Sequence, residues 1–178
     1  LVVDTVEALE AGSYTLRCCW RPRGNPVLEG NTLKATHQDL LLTIANADGA
    51  PGRLEKLRNI ERMDISRYSQ QVSVALAAGE SYRFVNLVHA EPADAAREIS
   101  VKQVMGGLIV IQRPEGVDAV ALDPAPLRMM GLNTDAEMLR LSEDGIVIAG
   151  FTSFDVRGNG ISASEPVALE VSPAEGDG

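Results

Sequence analysis

The side chains in this sequence with the widest chemical repertoire are two cysteines and two histidines: Cys18, Cys19, His37 and His89. A structural zinc site takes about four ligands, so both cysteines and both histidines would have to bind the same ion. Successive side chains on a strand point to opposite faces, so Cys18 and Cys19 cannot easily converge on one ion or on each other. We therefore predict that Cys18 packs in the core beside Trp20. Cys19 is expected on the opposite face, covered by another subunit or by a loop.

His89 and Glu91 are the second candidate, since alternation along an extended segment places them on one side of the chain. The sequence indicates no third partner, and it contains no G-x-S-x-G elbow that would anchor a nucleophile. We predict that this pair caps the end of a strand. No residue is predicted to be catalytic, and neither a cofactor nor a small-molecule substrate is expected.

Oxygen-bearing side chains recur between the apolar segments, where calcium often stabilises the loops of β-sandwiches. None of these turns has the dense D-x-D-x-D-G spacing of a calcium loop, and turn-forming Asn and Asp account for them without an ion. The sequence therefore predicts no metal site. The residues concerned are Asn46, Asp48, Asp135, Glu137, Asp144, Asp155 and Asn159.

The segments that must position these residues are short, and apolar and polar side chains alternate along them with a period of two. This pattern is typical of half-buried strands. Ser13 to Trp20 shows the pattern clearly, and residues 72–76, a turn at 77–80 and residues 82–89 read as strand, turn and strand. About ten such segments predict an all-β fold, a single β-sandwich or jelly-roll barrel. We expect one β domain over residues 1–171 and a flexible acidic tail at 172–178. Further strands are predicted at 40–45, 99–105, 108–112, 117–122, 138–141, 146–154 and 167–171.

Two stretches depart from this alternation. Leu54, Leu57, Ile60 and Met63 recur every three residues between charged side chains, which favours a short amphipathic helix over residues 53–64. Pro92 to Glu98 is expected to form a helical turn with proline at its start. Both are interpreted as insertions between strands.

Residues 8–16 and 75–84 share the order Ala-Leu-x-Ala-Gly followed by Ser-Tyr. A true duplication would make two related halves. The interpretation we favour is that both are corners, in which a strand ends, glycine permits the turn and tyrosine anchors the next strand. Either origin favours a sandwich.

The formal net charge of −9 argues against nucleic acid as a partner, because the averaged field repels phosphate backbones. No apolar run approaches the roughly 18 residues of a membrane helix, so we expect a soluble protein with no membrane partner. Residues 1–12 show no basic region followed by an apolar one, and no signal peptide is predicted there.

The predicted interactions are therefore between proteins. A basic cluster over residues 53–67 is a candidate docking surface for an acidic neighbour, and arginines flank Trp20, a combination common at interfaces. The apolar stretch at 126–132 is expected to be exposed. The predicted interface residues are Arg17, Cys19, Arg21, Leu54, Leu57, Met129 and Met130.

Residues 85–94 resemble the strand-histidine-turn piece of some secreted β-sandwich modules, and residues 11–16 are similar to corners in such domains. Because a catalytic cluster is missing from the sequence, we expect a non-catalytic structural assembly subunit, a virion capsid or capsid-decoration protein that forms homo-oligomers and contacts neighbouring structural proteins. The alternative is a secreted or cell-surface β-sandwich module that recognises a protein or glycan. The expected location is a virion or an extracellular surface.

Overall fold

Antiparallel strands dominate the computed structural model, which describes residues 1–57, 65–104, 107–122 and 132–172. The predicted all-β class is confirmed, and several antiparallel sheets pack together in the manner of a β-sandwich. The chain separates into two compact units, Leu1–Lys102 and Gln103–Gly178. One domain over residues 1–171 stays a prediction, as does the tail at 172–178, of which residues 173–178 lie outside the described part.

The first unit contains two sheets. A five-stranded sheet has the order β1-β8-β5-β4-β3, and a three-stranded sheet has the order β2-β7-β6. Leu33 and Ile44 of the larger sheet pack against Tyr68 of the smaller one, and all three side chains are fully buried. The strands are β1 (Val2–Glu7), β2 (Gly12–Trp20), β3 (Asn25–Glu29), β4 (Thr32–His37), β5 (Leu40–Asn46), β6 (Gly52–Leu57), β7 (Ile65–Leu76) and β8 (Ser81–Pro92); a 3₁₀ turn (Ala93–Ala95) and β9 (Ser100–Gln103) follow.

The repeated sequence forms a corner in both copies, because each carries the chain from one sheet to the other. The first joins β1 to β2 and the second joins β7 to β8. The predicted role of glycine is confirmed only in the second copy, where Gly79 has a φ of 81°, whereas Gly12 lies within β2 without a positive φ. The corners also bond to each other: Ala8 donates its N–H to the Glu80 carbonyl at 2.8 Å and accepts from the Gly79 N–H at 2.7 Å. In the first corner, the Tyr14 hydroxyl donates to the Glu10 carbonyl at 2.5 Å. Backbone pairing thus holds the two turns side by side.

A buried pair of amides links the two sheets inside the sandwich. Gln70 on β7 and Asn86 on β8 are both completely buried. Gln70 Nε2 donates to Asn86 Oδ1 at 2.7 Å, and Asn86 Nδ2 donates back to Gln70 Oε1 at 3.1 Å. The reciprocal bonds satisfy groups that would otherwise be costly to bury.

The predicted helix over residues 53–64 is wrong where the structure describes it. Gly52–Leu57 is strand β6, which pairs with β7 from Leu54 opposite Tyr68 to Leu57 opposite Ile65. Six residues are too short for periodicity alone to separate helix from strand, and pairing with β7 decides. Gly52 fits this position because a Cβ there would lie 2.7 Å from the Tyr68 ring. Ile60 and Met63 lie outside the described residues. The predicted helical turn after Pro92 is present as the 3₁₀ turn.

The second unit is built from antiparallel neighbours. Its strands run in the order β12-β14-β13-β11-β10, and β15 pairs with β14. Leu139, Ile148, Phe151 and Phe154 form its buried cluster. The strands are β10 (Leu108–Arg113), β11 (Gly116–Leu122), β12 (Leu132–Thr134), β13 (Met138–Ser142), β14 (Gly145–Val156) and β15 (Asn159–Val171).

Candidate functional site

The structure separates the two cysteines as predicted. Cys18 is buried in a cluster with Phe84, and Trp20 packs against that cluster, whereas Cys19 is exposed. Burial raises the pKa of the Cys18 thiol to about 12, helped by the hydrogen bond that it donates to Asp4 Oδ2 at 3.3 Å. Cys18 is therefore a protonated packing residue. The prediction that a subunit or loop covers Cys19 stays a prediction.

Three arginines share the outer face of the three-stranded sheet, and we call them, with Glu55, the arginine face. Register places them there: Arg53 and Cys19 flank Ser69, Arg17 lies opposite Gln71, and Arg67 lies opposite Glu55. Arg17, Arg53 and Arg67 line a concavity of about 390 Å³ together with Glu55, Ser69 and Gln71. Alternation in β2, β7 and β6 thus brings together arginines that are up to 50 residues apart.

The arginine face holds more positive than negative charge. Glu55 accepts from Arg67 Nη2 at 2.6 Å and lies 3.1 Å from Arg53 Nε. Among the described residues, Arg17 hydrogen-bonds to a neutral side chain: its Nε and Nη2 both donate to Gln71 Oε1, at 3.2 and 2.6 Å. Three guanidiniums and one carboxylate leave a net charge of +2. Arg67 Nε is buried without a hydrogen-bond partner in the described part of the chain.

The charge of the face is reflected in the titration of its single acid. The hydrogen bond from Arg67 holds the pKa of Glu55 below its ordinary value, and the nearby charges of Arg53, Arg67 and Arg17 act in the same direction. Glu55 is therefore ionised at neutral pH and is already shared between two guanidiniums. Arg17, in contrast, makes its hydrogen bonds in the described part of the chain to the neutral Gln71.

The remaining predicted interface residues differ in their exposure. Arg21 is exposed directly after β2. Leu54 is half-buried against the Leu33–Ile44–Tyr68 cluster, so it belongs to the core of the sandwich, and Leu57 is half-buried at the end of β6. Met129 and Met130 lie outside the described residues. The structure therefore brings Arg17 and Cys19 onto one face and moves Leu54 away from it.

His89 and Glu91 have a third partner that the sequence did not indicate. Arg97, after the 3₁₀ turn, donates its backbone N–H to Glu91 Oε1 at 3.1 Å and its Nε to Glu91 Oε2 at 3.2 Å. His89 Nδ1 lies 3.7 Å from the same carboxylate. This chain of contacts fixes the residues that follow β8 against the outer face of the five-stranded sheet. Proximity in sequence after a Pro-initiated turn was the only available signal for Arg97.

A concavity of about 550 Å³ lies beside His89 on this face. Register aligns Lys34, Thr43 and His89 across β4, β5 and β8, and all three line the concavity. Burial lowers the pKa of His89, so the imidazole is neutral at pH 7. Its Nε2 is buried without a hydrogen-bond partner among the described residues. No Trp, Tyr or Phe of the described chain lines this concavity, so it offers no stacking platform for a sugar ring.

Strand β15 is a long exposed edge of the second unit. It pairs with β14, and its other side has no partner strand among the described residues. Ile161, Val167 and Val171 remain 50, 40 and 47% exposed, although edge strands usually limit exposed apolar side chains. The pairing with β14 shifts register around Phe151, opposite the segment that carries Glu165 and Pro166. This bulge, together with Glu165 and Pro166, divides the edge strand into two shorter segments that pair with β14.

Two of the turn residues considered for calcium, Asp135 and Asn46, make hydrogen bonds within the fold. Asp135 accepts hydrogen bonds from the Thr152 and Ser153 N–H groups at 3.0 and 2.8 Å, and these bonds hold β14. Asn46 Oδ1 accepts from the Gly49 N–H at 2.6 Å. No group of three His, Cys, Asp or Glu side chains in the described ranges is arranged to hold a metal ion. Within those ranges, no helix has the length and apolarity to cross a membrane.

Comparison with known proteins adds no relative: no protein-family model matches the chain, and no curated protein is significantly similar to it in sequence.

Proposed function

We propose that this chain is a non-catalytic structural subunit that works through protein–protein contacts, and specifically a shell protein of the virion capsid or capsid-decoration type. The supporting observation is strand β15, whose exposed edge and exposed apolar side chains are features typical of a protein–protein interface. The arginine face supplies a second surface with a different chemistry. Two unlike surfaces suit a protein that contacts several neighbours in an assembly.

The proposal is tested by the native mass of the protein, measured by light scattering behind size exclusion over a range of protein and salt concentrations. We expect a trimer, hexamer or larger body. A single species at 19.0 kDa under all conditions, with no larger particle from the source retaining it, would contradict the proposal. Exposed backbone groups on β15 would then need another explanation.

The second candidate function is a recognition module, which the 550 Å³ concavity beside His89 favours. Such a protein would be a monomer that takes one ligand at this face of the sandwich. A screen of small anions and peptides by calorimetry distinguishes the two functions, since saturable binding by a monomer that His89→Ala abolishes would favour recognition. The absence of an aromatic lining in the described part directs that screen away from glycans.

A further inference from the structure

The negative charge of this protein is concentrated in one unit. Residues 1–102 carry 12 Lys and Arg against 13 Asp and Glu, a net charge of −1. Residues 103–178 carry 4 against 12, a net charge of −8. The first unit, although nearly neutral, presents the arginine face with its net charge of +2. One copy therefore offers both a cationic surface and its complement.

The arginine face is built to accept carboxylates. Arg17 hydrogen-bonds to a neutral amide, and its charge reaches Glu55 only at longer range. Arg67 Nε is an unsatisfied donor in the described chain, at the side of the 390 Å³ concavity. Guanidinium groups bind carboxylates with paired, charge-assisted hydrogen bonds, which are stronger than neutral ones. Incoming acidic side chains would gain charge neutralisation and charge-assisted hydrogen bonds from the exposed guanidiniums of Arg17 and Arg53.

The second unit presents acids where a neighbour can reach them. Glu165 and Glu170 on β15 are exposed, and the apolar side chains of Val167 and Val171 beside them are exposed as well. Alternation places Glu170 on the face of β15 opposite Val167 and Val171, so this edge strand presents acids and exposed valines on its two faces together. The opposite edge of β15 is available for contact, since no described strand occupies it.

We propose that the arginine face of one copy binds the acidic edge strand β15 of a second copy. This inference rests on the proposed assembly function and names the surfaces that carry it. The contact joins two different surfaces, so it is heterologous, and each bound copy presents a free arginine face or a free β15 to the next. Charge complementarity sets the pairing, and the exposed valines add apolar burial.

Charge reversal on each surface tests the pairing in the full-length chain. We expect Arg17→Glu with Arg53→Glu to weaken self-association at least about tenfold, because like charges would then face each other. Glu165→Lys with Glu170→Lys should do the same. An equimolar mixture of the two variants should assemble again, because the reversed arginine face of one complements the reversed β15 of the other. Sedimentation velocity at about 0.05 M and about 0.5 M salt measures these changes, and association should weaken at the higher salt.

The matched control is Arg23→Glu with Lys102→Glu, which changes the net charge equally at exposed positions outside both surfaces. If the charge-reversal variant does not fold, the neutral variant Arg17→Gln with Arg53→Gln takes its place. Circular dichroism checks that each variant is folded. If the wild type assembles while reversal at the arginine face behaves like the control, or the mixture stays dissociated, the inference is overturned and the proposed function survives. If the wild type never assembles, the proposed function fails and this inference with it.

Discussion

The two faces of the sheet β2-β7-β6 receive the same residue types and use them in opposite ways. Cys18 and Gln70 point inward, and neighbouring Cys19 and Gln71 point outward. On the inner face, Gln70 is sealed in a reciprocal amide pair with Asn86. On the outer face, Gln71 accepts both hydrogen bonds that Arg17 donates. A shift of one residue along the strand thus moves the same residue type from a buried amide pair to an exposed charged face.

This comparison teaches that residue identity alone does not assign a role here. The inner face is constrained by packing against the larger sheet, so its substitutions should affect the free energy of unfolding. On the outer face, the hydrogen bonds and ion pairs of the described residues join exposed or half-buried side chains, so substitutions there should change the free energy of unfolding less and, under the proposed contact, should change association. The chain has a single tryptophan, Trp20, whose fluorescence reports the unfolding of the first unit.

The largest expected effect on stability comes from Tyr68→Ala on the inner face. Tyr68 is completely buried between the sheets, and its hydroxyl donates to the Asn31 carbonyl at 3.2 Å. Removing the ring leaves a cavity and should lower the free energy of unfolding by about 3–5 kcal/mol. Urea unfolding followed by Trp20 fluorescence measures it. A loss below about 1 kcal/mol would show that the inner face is not close-packed.

The next effect comes from Asn86→Leu, which leaves the Gln70 amide buried without its partner. We expect a loss of about 1–3 kcal/mol, the usual cost of an unsatisfied buried polar group. Replacing both members with leucine should recover part of that loss, because no orphaned amide remains. A double-mutant cycle in urea separates the pair energy from the packing change. Additive losses in the two single variants would contradict the reciprocal bond.

A smaller, purely kinetic contrast is expected between the two thiols. Cys19 is exposed and should react with an aromatic disulfide reagent in the native protein. Cys18 is buried, with its pKa raised to about 12, so it should react only when the first unit opens. Counting released thiolate with time, with and without denaturant, checks this. Cys19→Ser should remove the rapid phase alone, with a change in stability within about 0.5 kcal/mol.

The smallest effect concerns the pH dependence contributed by Glu55 on the arginine face. Its folded pKa lies below the ordinary value of 4.5, mainly because of the hydrogen bond from Arg67. Its stabilising contribution is therefore present above pH 4.5 and is lost as the pH falls through the lower folded value. Glu55→Gln should flatten that part of the stability profile. An unchanged slope would mean that solvent screens this pair.

Alternation predicted most of the strands that have one buried face. The segment ending at Trp20 and the strand after the 77–80 turn were predicted nearly to their ends, as was the inward position of Cys18. Strand β6 was missed, since Leu54 and Leu57 satisfy a helical spacing equally well and only pairing with β7 decides. Strands β1, β3 and β12 were also missed, because short edge segments carry little periodicity. Strand β4 was missed as well, although it is an inner strand on which Leu33 and Ala35 alternate inward.

The site was harder to predict than the fold because its members come together across strands. Arg17 was a candidate from its place beside Trp20, yet its proximity to Arg53 and Arg67 depends on the register of β2, β7 and β6. Arg97 reaches Glu91 through a turn whose path is set by the fold. The alternation of an amphipathic strand predicts on which face of the sheet a residue lies. The register between strands determines which residues are its neighbours on that face.

The pairing of β1 with β8 also constrains the order of events during synthesis. Val2 lies opposite Asn86, so β1 is translated more than 80 residues before its partner strand. At about 5–20 residues per second, a ribosome needs on the order of 4–17 s to make that partner. During this interval the backbone of β1 has no partner strand and its valines are exposed. In the same way, β2 has no partner strand until β7 has been synthesised. The five-stranded sheet of the first unit is thus expected to be completed only after β8 has been synthesised.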